Sequence, residues 1–136
     1  MGQNAVEEVN LLAPQAAAGS NLGWPALEGT RPYDGDPPAG AVPPVYEYRH
    51  DEGFLVTGDF AYRGDAIEGL QGAYVCGDLG TARLWALAVD PSGTVAGRAD
   101  LGVGVDEGTL VSFFEDAAGE LYAISIAGTI SRLDLT

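Results

Sequence analysis

Between residues 45 and 89 the apolar residues recur at every second position and the interruptions fall on glycine, a pattern that confines the chain to β-sheet. Tyr46 with Tyr48, Phe60 with Tyr62, Tyr74 with Cys76, and Leu84 with Ala86 and Ala88 mark four runs. Gly53, Gly64, Gly72 and Gly80 stand between them as turn formers. The spacing predicts four strands joined in sequence as one up-and-down meander.

The flanks read in the same way. Residues 5–12 (AVEEVNLL) predict a short strand on Val6, Val9, Leu11 and Leu12, although a short helix has comparable propensity. Pro14, Gly19, Asn21, Gly23 and Pro25 then end any regular element and predict a compact loop anchored in the core by Trp24. Residues 28–44 hold five of the eight prolines and have no periodicity, so an irregular excursion packed on the surface is expected. Downstream, Asp90, Pro91, Ser92 and Gly93 spell a hairpin turn leading into an outer strand over 95–101. Three more strands are predicted over 110–115, 121–126 and 130–135, with turns at 116–119 and 127–128. GAYVCGDLGTARLWAL (72–87) and ELYAISIAGTISRL (120–133) share a strand, Gly-turn, strand design ending on an Arg-Leu pair, with Arg83 and Arg132 in equivalent places. Such an internal repeat is a mark of propeller blades. The pattern divides the chain into a strand with a Trp/Pro-rich loop (1–44), one blade (45–105) and an incomplete blade (106–136).

Composition narrows the function. Twenty Asp and Glu against six basic residues, all of them Arg, give a formal charge of −14. Nucleic acid and anionic membrane are therefore poor partners. A solvated or salt-adapted acidic surface is the plain explanation, and divalent-cation binding is the functional one. The single cysteine, Cys76, lies inside a strand pattern and reads as a small buried hydrophobe that forms no intrachain disulfide. With 136 residues the chain is long enough to bury a core without staples. The N-terminal MGQNAVEEVN has neither a basic n-region nor an apolar h-region, so a soluble chain without an export signal is expected, and compartment stays open.

Several phrases resemble one family. GQNAVEEVN followed by SNLGWPALEG is similar to the phrase G-Q-x-x-x-E-E-[IV]-N then N-[YFL]-G-W-P-x-x-E-G, through Gly2, Gln3, Glu7, Glu8, Asn10, Asn21, Gly23, Trp24, Pro25, Glu28 and Gly29. PPVYEYRHDEG, VTGDFAYRG and LQGAYVCGD resemble the segments that follow, with Asp59 standing where the family phrase has a second Gly. The family is that of the glucose/sorbosone dehydrogenase β-propellers, the soluble quinone-dependent aldose sugar dehydrogenases and their non-enzymatic extracellular relatives. The match covers nearly this whole chain but only the C-terminal part of a six-bladed member.

The resemblance implies an all-β partial propeller of about two four-stranded blades, completed to six by oligomerisation; head-to-tail association of three copies is favoured over two. Residues 45–48 are the expected strand donor. It also implies a structural calcium held by Glu8 and the Leu22 carbonyl; the nearby Asp34 and Asp36 carry hard oxygens suited to complete the shell, and an exposed Glu7–Glu8 pair is the plain alternative. The family's catalytic histidine comes from an early blade without a counterpart here, and Leu79, Gly80 and Thr81 stand in the region where the enzymes use a lysine. His50 falls outside the catalytic phrase and reads as a surface or turn residue, and LVSFFED carries no basic residue where the enzymes have an arginine. No catalytic or cofactor-binding residue is assigned, and pyrroloquinoline quinone (PQQ) is not expected as a cofactor. The favoured reading is a non-catalytic, self-assembling propeller fragment. A quinone-dependent aldose or sorbosone oxidoreductase, and a carbohydrate- or protein-binding module using Tyr33, Tyr46 and Tyr48, remain the alternatives.

Overall fold

The computed structural model describes residues 2–106 and 108–134. Its chain contacts separate into two compact units, Met1–Phe54 and Leu55–Thr136. Leu135, the end of the last expected strand, lies outside the described residues.

In the first unit, β1 (Val6–Val9) pairs antiparallel with β4 (Tyr46–Arg49), Val6 opposite Arg49 and Val9 opposite Tyr46. Between them run a single helical turn, Pro14–Ala17, and a two-residue hairpin of β2 (Leu27–Glu28) and β3 (Arg31–Pro32). The expected strand over 5–12 is present in shortened form, and the excursion from 28 begins with this hairpin. Gly29 makes its corner at φ +61°. Val6, Val9, Ala26 and Tyr48 form the apolar core of the unit, and two carboxylates, Glu7 and Glu28, are buried with them. Glu28 Oε1 accepts the backbone N–H groups of Gln3, Asn4 and Ala5 at 2.7, 2.6 and 2.8 Å, with Val6 at 3.3 Å. Burial opposes ionisation of this carboxyl, but the converging amides outweigh it and hold it below its ordinary value.

The described residues of the second unit form seven strands. β5 (Val56–Ala61), β6 (Tyr74–Asp78), β7 (Arg83–Val89) and β8 (Val95–Gly104) form a four-stranded antiparallel meander in chain order. β9 (Leu110–Glu115), β10 (Leu121–Ser125) and β11 (Ile130–Arg132) form a three-stranded one. The expected meander is thus displaced by one strand: β4 belongs with β1, and β8 takes the fourth place. The reason is non-local, since alternation marks a strand but does not choose its partner. The hairpin at 90–93 forms as expected, with Asp90 Oδ1 accepting from Ser92 N at 2.8 Å and Thr94 N at 3.0 Å. Asp116 caps the 116–119 turn in the same way, through Ala118 N at 2.9 Å and Glu120 N at 3.0 Å.

β7 departs from alternation. Leu84, Trp85, Ala86 and Leu87 are all buried while Ala88 is exposed, so this inner strand is covered on both faces. Leu84 packs with Tyr62, Val75, Leu110, Leu121 and Leu133 in the core. On the other side the Arg98 guanidinium of β8 lies 5.2 Å from the Trp85 ring centroid. Cys76 is fully buried, as expected, and burial pushes its thiol up to about 12. Arg83 and Arg132 are not equivalent: Arg83 opens β7, whereas Arg132 closes β11 opposite Tyr122. Arg132 pairs with Asp134 at 3.3 Å.

One buried contact joins the β5–β6 connection to β10. Tyr62 Oη donates to Glu120 Oε2 at 2.7 Å and accepts from Ile67 N at 3.0 Å, while Asp65 N and Ala66 N donate to Glu120 Oε1 at 3.1 and 3.0 Å. A Cβ at Gly64 would stand 2.6 Å from each Glu120 carboxylate oxygen, so a larger residue there would displace the carboxylate from these partners. Tyr62→Phe removes both bonds and leaves a buried N–H without its acceptor, so a loss on the order of 1–3 kcal/mol in urea unfolding is expected. The Tyr62 hydroxyl first, and the Ala66 and Asp65 amides after it, hold the Glu120 carboxyl below its ordinary value against the opposing effect of burial. A carboxylate with a lowered folded pKa stabilises above its unfolded pKa, and that contribution is lost as pH falls through the folded value. The urea-midpoint gap between wild type and Glu120→Gln should therefore be full at neutral pH and close on acidification.

Candidate functional site

The first unit carries the candidate site, and its position follows from a loop that only particular residues can form. Gly23 adopts φ +98°, where a Cβ would lie 2.8 Å from Leu27 Cδ1. Asn21 Oδ1 accepts from Gly23 N at 2.8 Å, and Gly23 O accepts from Leu27 N at 2.9 Å. These bonds carry the chain from the loop into β2. They leave a concavity of about 190 Å³ lined by Gly2, Glu8, Leu22, Trp24, Leu27, Glu28 and Gly29.

The two expected calcium-ligand residues, Glu8 and Leu22, therefore line the same concavity. Glu8 is half-buried, and its Oε1 accepts from Asn10 Nδ2 at 3.1 Å. Asn10 Oδ1 is buried with no hydrogen-bond partner among the described residues. Asp34 and Asp36 are exposed and do not line the concavity, so the structure does not bring them to it. Glu28 lines it, but its Oε1 is already occupied by backbone amides. Among the described residues no group of three or more His, Cys, Asp and Glu side chains converges. The donors available at the concavity are thus the Glu8 carboxylate and the main chain of Leu22, with Asn10 bonded to Glu8 but outside the lining. These are hard oxygens of the type calcium takes, though fewer than its usual six to eight.

Two expectations are corrected here. Trp24 is 57% exposed and does not anchor the loop in the core; its ring stacks on Tyr33 at 5.3 Å between centroids and 19° between planes. Hydrogen bonds and glycine geometry fix the loop instead, which leaves the indole free to face outward. Tyr48, grouped with the exposed aromatics of a binding face, is buried at the β1–β4 pair.

His50 stands in the turn that follows β4, as expected, but its side chain is also engaged. Its side chain is 23% exposed, and Nε2 lies 3.0 Å from Oε1 of Glu7, whose side chain is fully buried. Gly2 N donates to the same oxygen at 3.1 Å. The Glu7–Glu8 pair is consequently split, Glu7 inward to His50 and Glu8 toward the concavity. Sequence reasoning missed the Glu7–His50 contact because its members are 43 positions apart and no local period links them.

In the second unit two concavities are mainly apolar, while a shallower one of about 460 Å³, lined by Thr81, Arg83, Asp100 and Gly102 among others, is mixed. One of about 350 Å³ is lined by Ile67, Leu70, Leu101, Val103 and Leu133 with Asp134, and one of about 170 Å³ by Leu84, Phe113, Leu121 and neighbours including Arg132. No described helix is long and apolar enough to cross a membrane.

No family model matches the chain. A solved structure described as a crystal structure of glucose dehydrogenase is similar to it, with a TM-score of 0.66 at 20% identity over 96% of this chain. The chain spans 39% of the length of that structure. At this identity the likeness shows the fold. Together with the small, unclosed antiparallel sheets, it makes the chain an all-β partial β-propeller.

Replacing His50 by Ala removes a donor from a carboxylate that stays buried. We expect a loss on the order of 1–3 kcal/mol in unfolding free energy, with faster amide exchange in β1 and β4. Unchanged exchange in both strands would contradict the structural role assigned to this pair.

Proposed function

We propose that the chain is a non-catalytic, self-assembling propeller fragment of the glucose/sorbosone dehydrogenase type, with a structural calcium site at Glu8 and Leu22. The observation that carries this reading is the unequal pair of sheets in the second unit. β7 is flanked by β8, whereas β11, which follows the corresponding turn of its own sheet, has no outer neighbour among the described residues. All three β11 residues are exposed, and Ile126 and Ile130 are the two most exposed large apolar side chains described, at 73% and 63%. An exposed strand with apolar neighbours accepts another strand by main-chain pairing.

The partner we assign is a second copy of the chain, contributing the edge of β4 not occupied by β1. Such head-to-tail contacts close into a ring when the rotation fits. Three copies supply the six blades of the resembled family, and two would supply four. The non-catalytic part of the reading is supported by His50, which is committed to a buried carboxylate, and by the lack of basic residues in LVSFFED. If assembly occurs, amide exchange across β11 slows as protein concentration rises while β6 exchange stays constant. Concentration-independent exchange in β11 would refute the assembly.

At the calcium site, the Glu8 carboxylate and the Leu22 main-chain oxygen would hold the ion, with water completing its shell. The role supported there is structural: an ion tying β1 to the 21–25 loop. Calcium should raise the melting temperature of the wild type and release or absorb heat on titration, and Glu8→Gln should abolish both responses. A wild type indifferent to calcium, or a Glu8→Gln variant that responds equally, would remove the site from this account.

A further inference from the structure

The stacked pair Trp24 and Tyr33 serves no packing role that its exposure can explain. Both rings are accessible, at 57% and 41%, and lie nearly parallel. Large aromatic side chains lose most by staying in water, and those held open on a rigid support are the usual anchors of recognition surfaces. The support here is rigid. Tyr33 N donates to Ala26 O at 2.8 Å and Asp34 N to Pro25 O at 3.1 Å, which locks the segment after Tyr33 to the segment after Trp24. The Gly23 and Asn21 bonds fix the other side of the indole. A ligand meeting these rings finds them already placed, so little ordering opposes binding.

We infer that this pair is a platform for an organic cation, specifically an arginine guanidinium carried by a basic segment of a partner protein. The surrounding charge selects the class. Glu8 and Glu28 line the adjoining concavity, and Asp34 and Asp36 follow Tyr33 directly and are exposed. Residues 1–54 contain eight acidic side chains against Arg31 and Arg49, within a chain of net charge −14. That field draws cations and repels anions. Arg31, exposed on the same hairpin, is the local like charge that an incoming cation must accommodate. A planar guanidinium fits the flat face of an indole better than an ammonium does, combining cation–π attraction with stacking. The chain itself makes this contact elsewhere, with Arg98 over Trp85.

An acetylated, amidated Arg-Gly repeat peptide is the probe, titrated by calorimetry and by the indole N–H signal of Trp24 in low salt. Saturable binding that shifts the Trp24 signal and weakens as salt rises is expected. Trp24→Ala and, independently, Tyr33→Ser should each weaken binding at least tenfold with melting temperature nearly unchanged, and a Lys-Gly repeat should bind several-fold more weakly. Equal binding to wild type and both variants would reduce the effect to general acidity and overturn the platform. So would a Trp24 signal that responds to neutral sugars and not to the peptide, or one that shifts with protein concentration alone and so reports a second copy covering the rings.

Discussion

A β-sheet can stop only where its last row of N–H and C=O groups meets water, another strand or a covering segment. The second unit meets that constraint unevenly. The ten-residue β8 covers the outer side of β7 and lays Arg98 across Trp85, which lets β7 bury four consecutive residues. β11 follows a comparable turn with three exposed residues, Ile130 among them, and the exposed Ile126 just before it. The contrast arises inside one chain, between two sheets grown from the same local design, and the assembly proposal is an attempt to resolve it.

Acidic residues provide much of the internal scaffold. Glu28 gathers four backbone amides, and Glu120 two amides and a tyrosine hydroxyl. Asp78, fully buried, accepts from Leu55 N at 2.7 Å and Thr81 N at 2.8 Å. Asp90 and Asp116 close hairpins in the same manner. A carboxylate accepting several N–H groups satisfies donors that no strand reaches, and charge-assisted bonds are stronger than neutral ones. The acidity of the chain is therefore only partly a solvated surface. Some of it substitutes for missing ladder partners in loops rich in Gly and Pro.

The legible parts of the fold were the local ones. Alternation around Tyr74, Cys76 and Leu121 located strands, and Asp-x-x-Gly spacing located the turns at 90–93 and 116–119. Partner choice was not legible, because the β1–β4 pairing joins segments about forty residues apart across a stretch without periodicity. The burial of both faces of β7 likewise depends on β8 and the core rather than on its own pattern. At the site, the resemblance brought Glu8 and Leu22 to one concavity. The reading of the residues themselves misjudged Asp34 and Asp36, which are exposed and lie outside that concavity, and Trp24, whose loop is fixed by Asn21 and Gly23 instead of by the indole. Glu7 and His50 left no sequence signal, since a contact between remote polar residues has no period.

The open edge of β11 is either filled by another copy of the chain or left to water. Sedimentation equilibrium of the chain over a hundredfold range of concentration, with and without calcium, measures this. A mass converging on three chains at the upper end, falling toward one on dilution, is the predicted result. A single-chain mass throughout would contradict it.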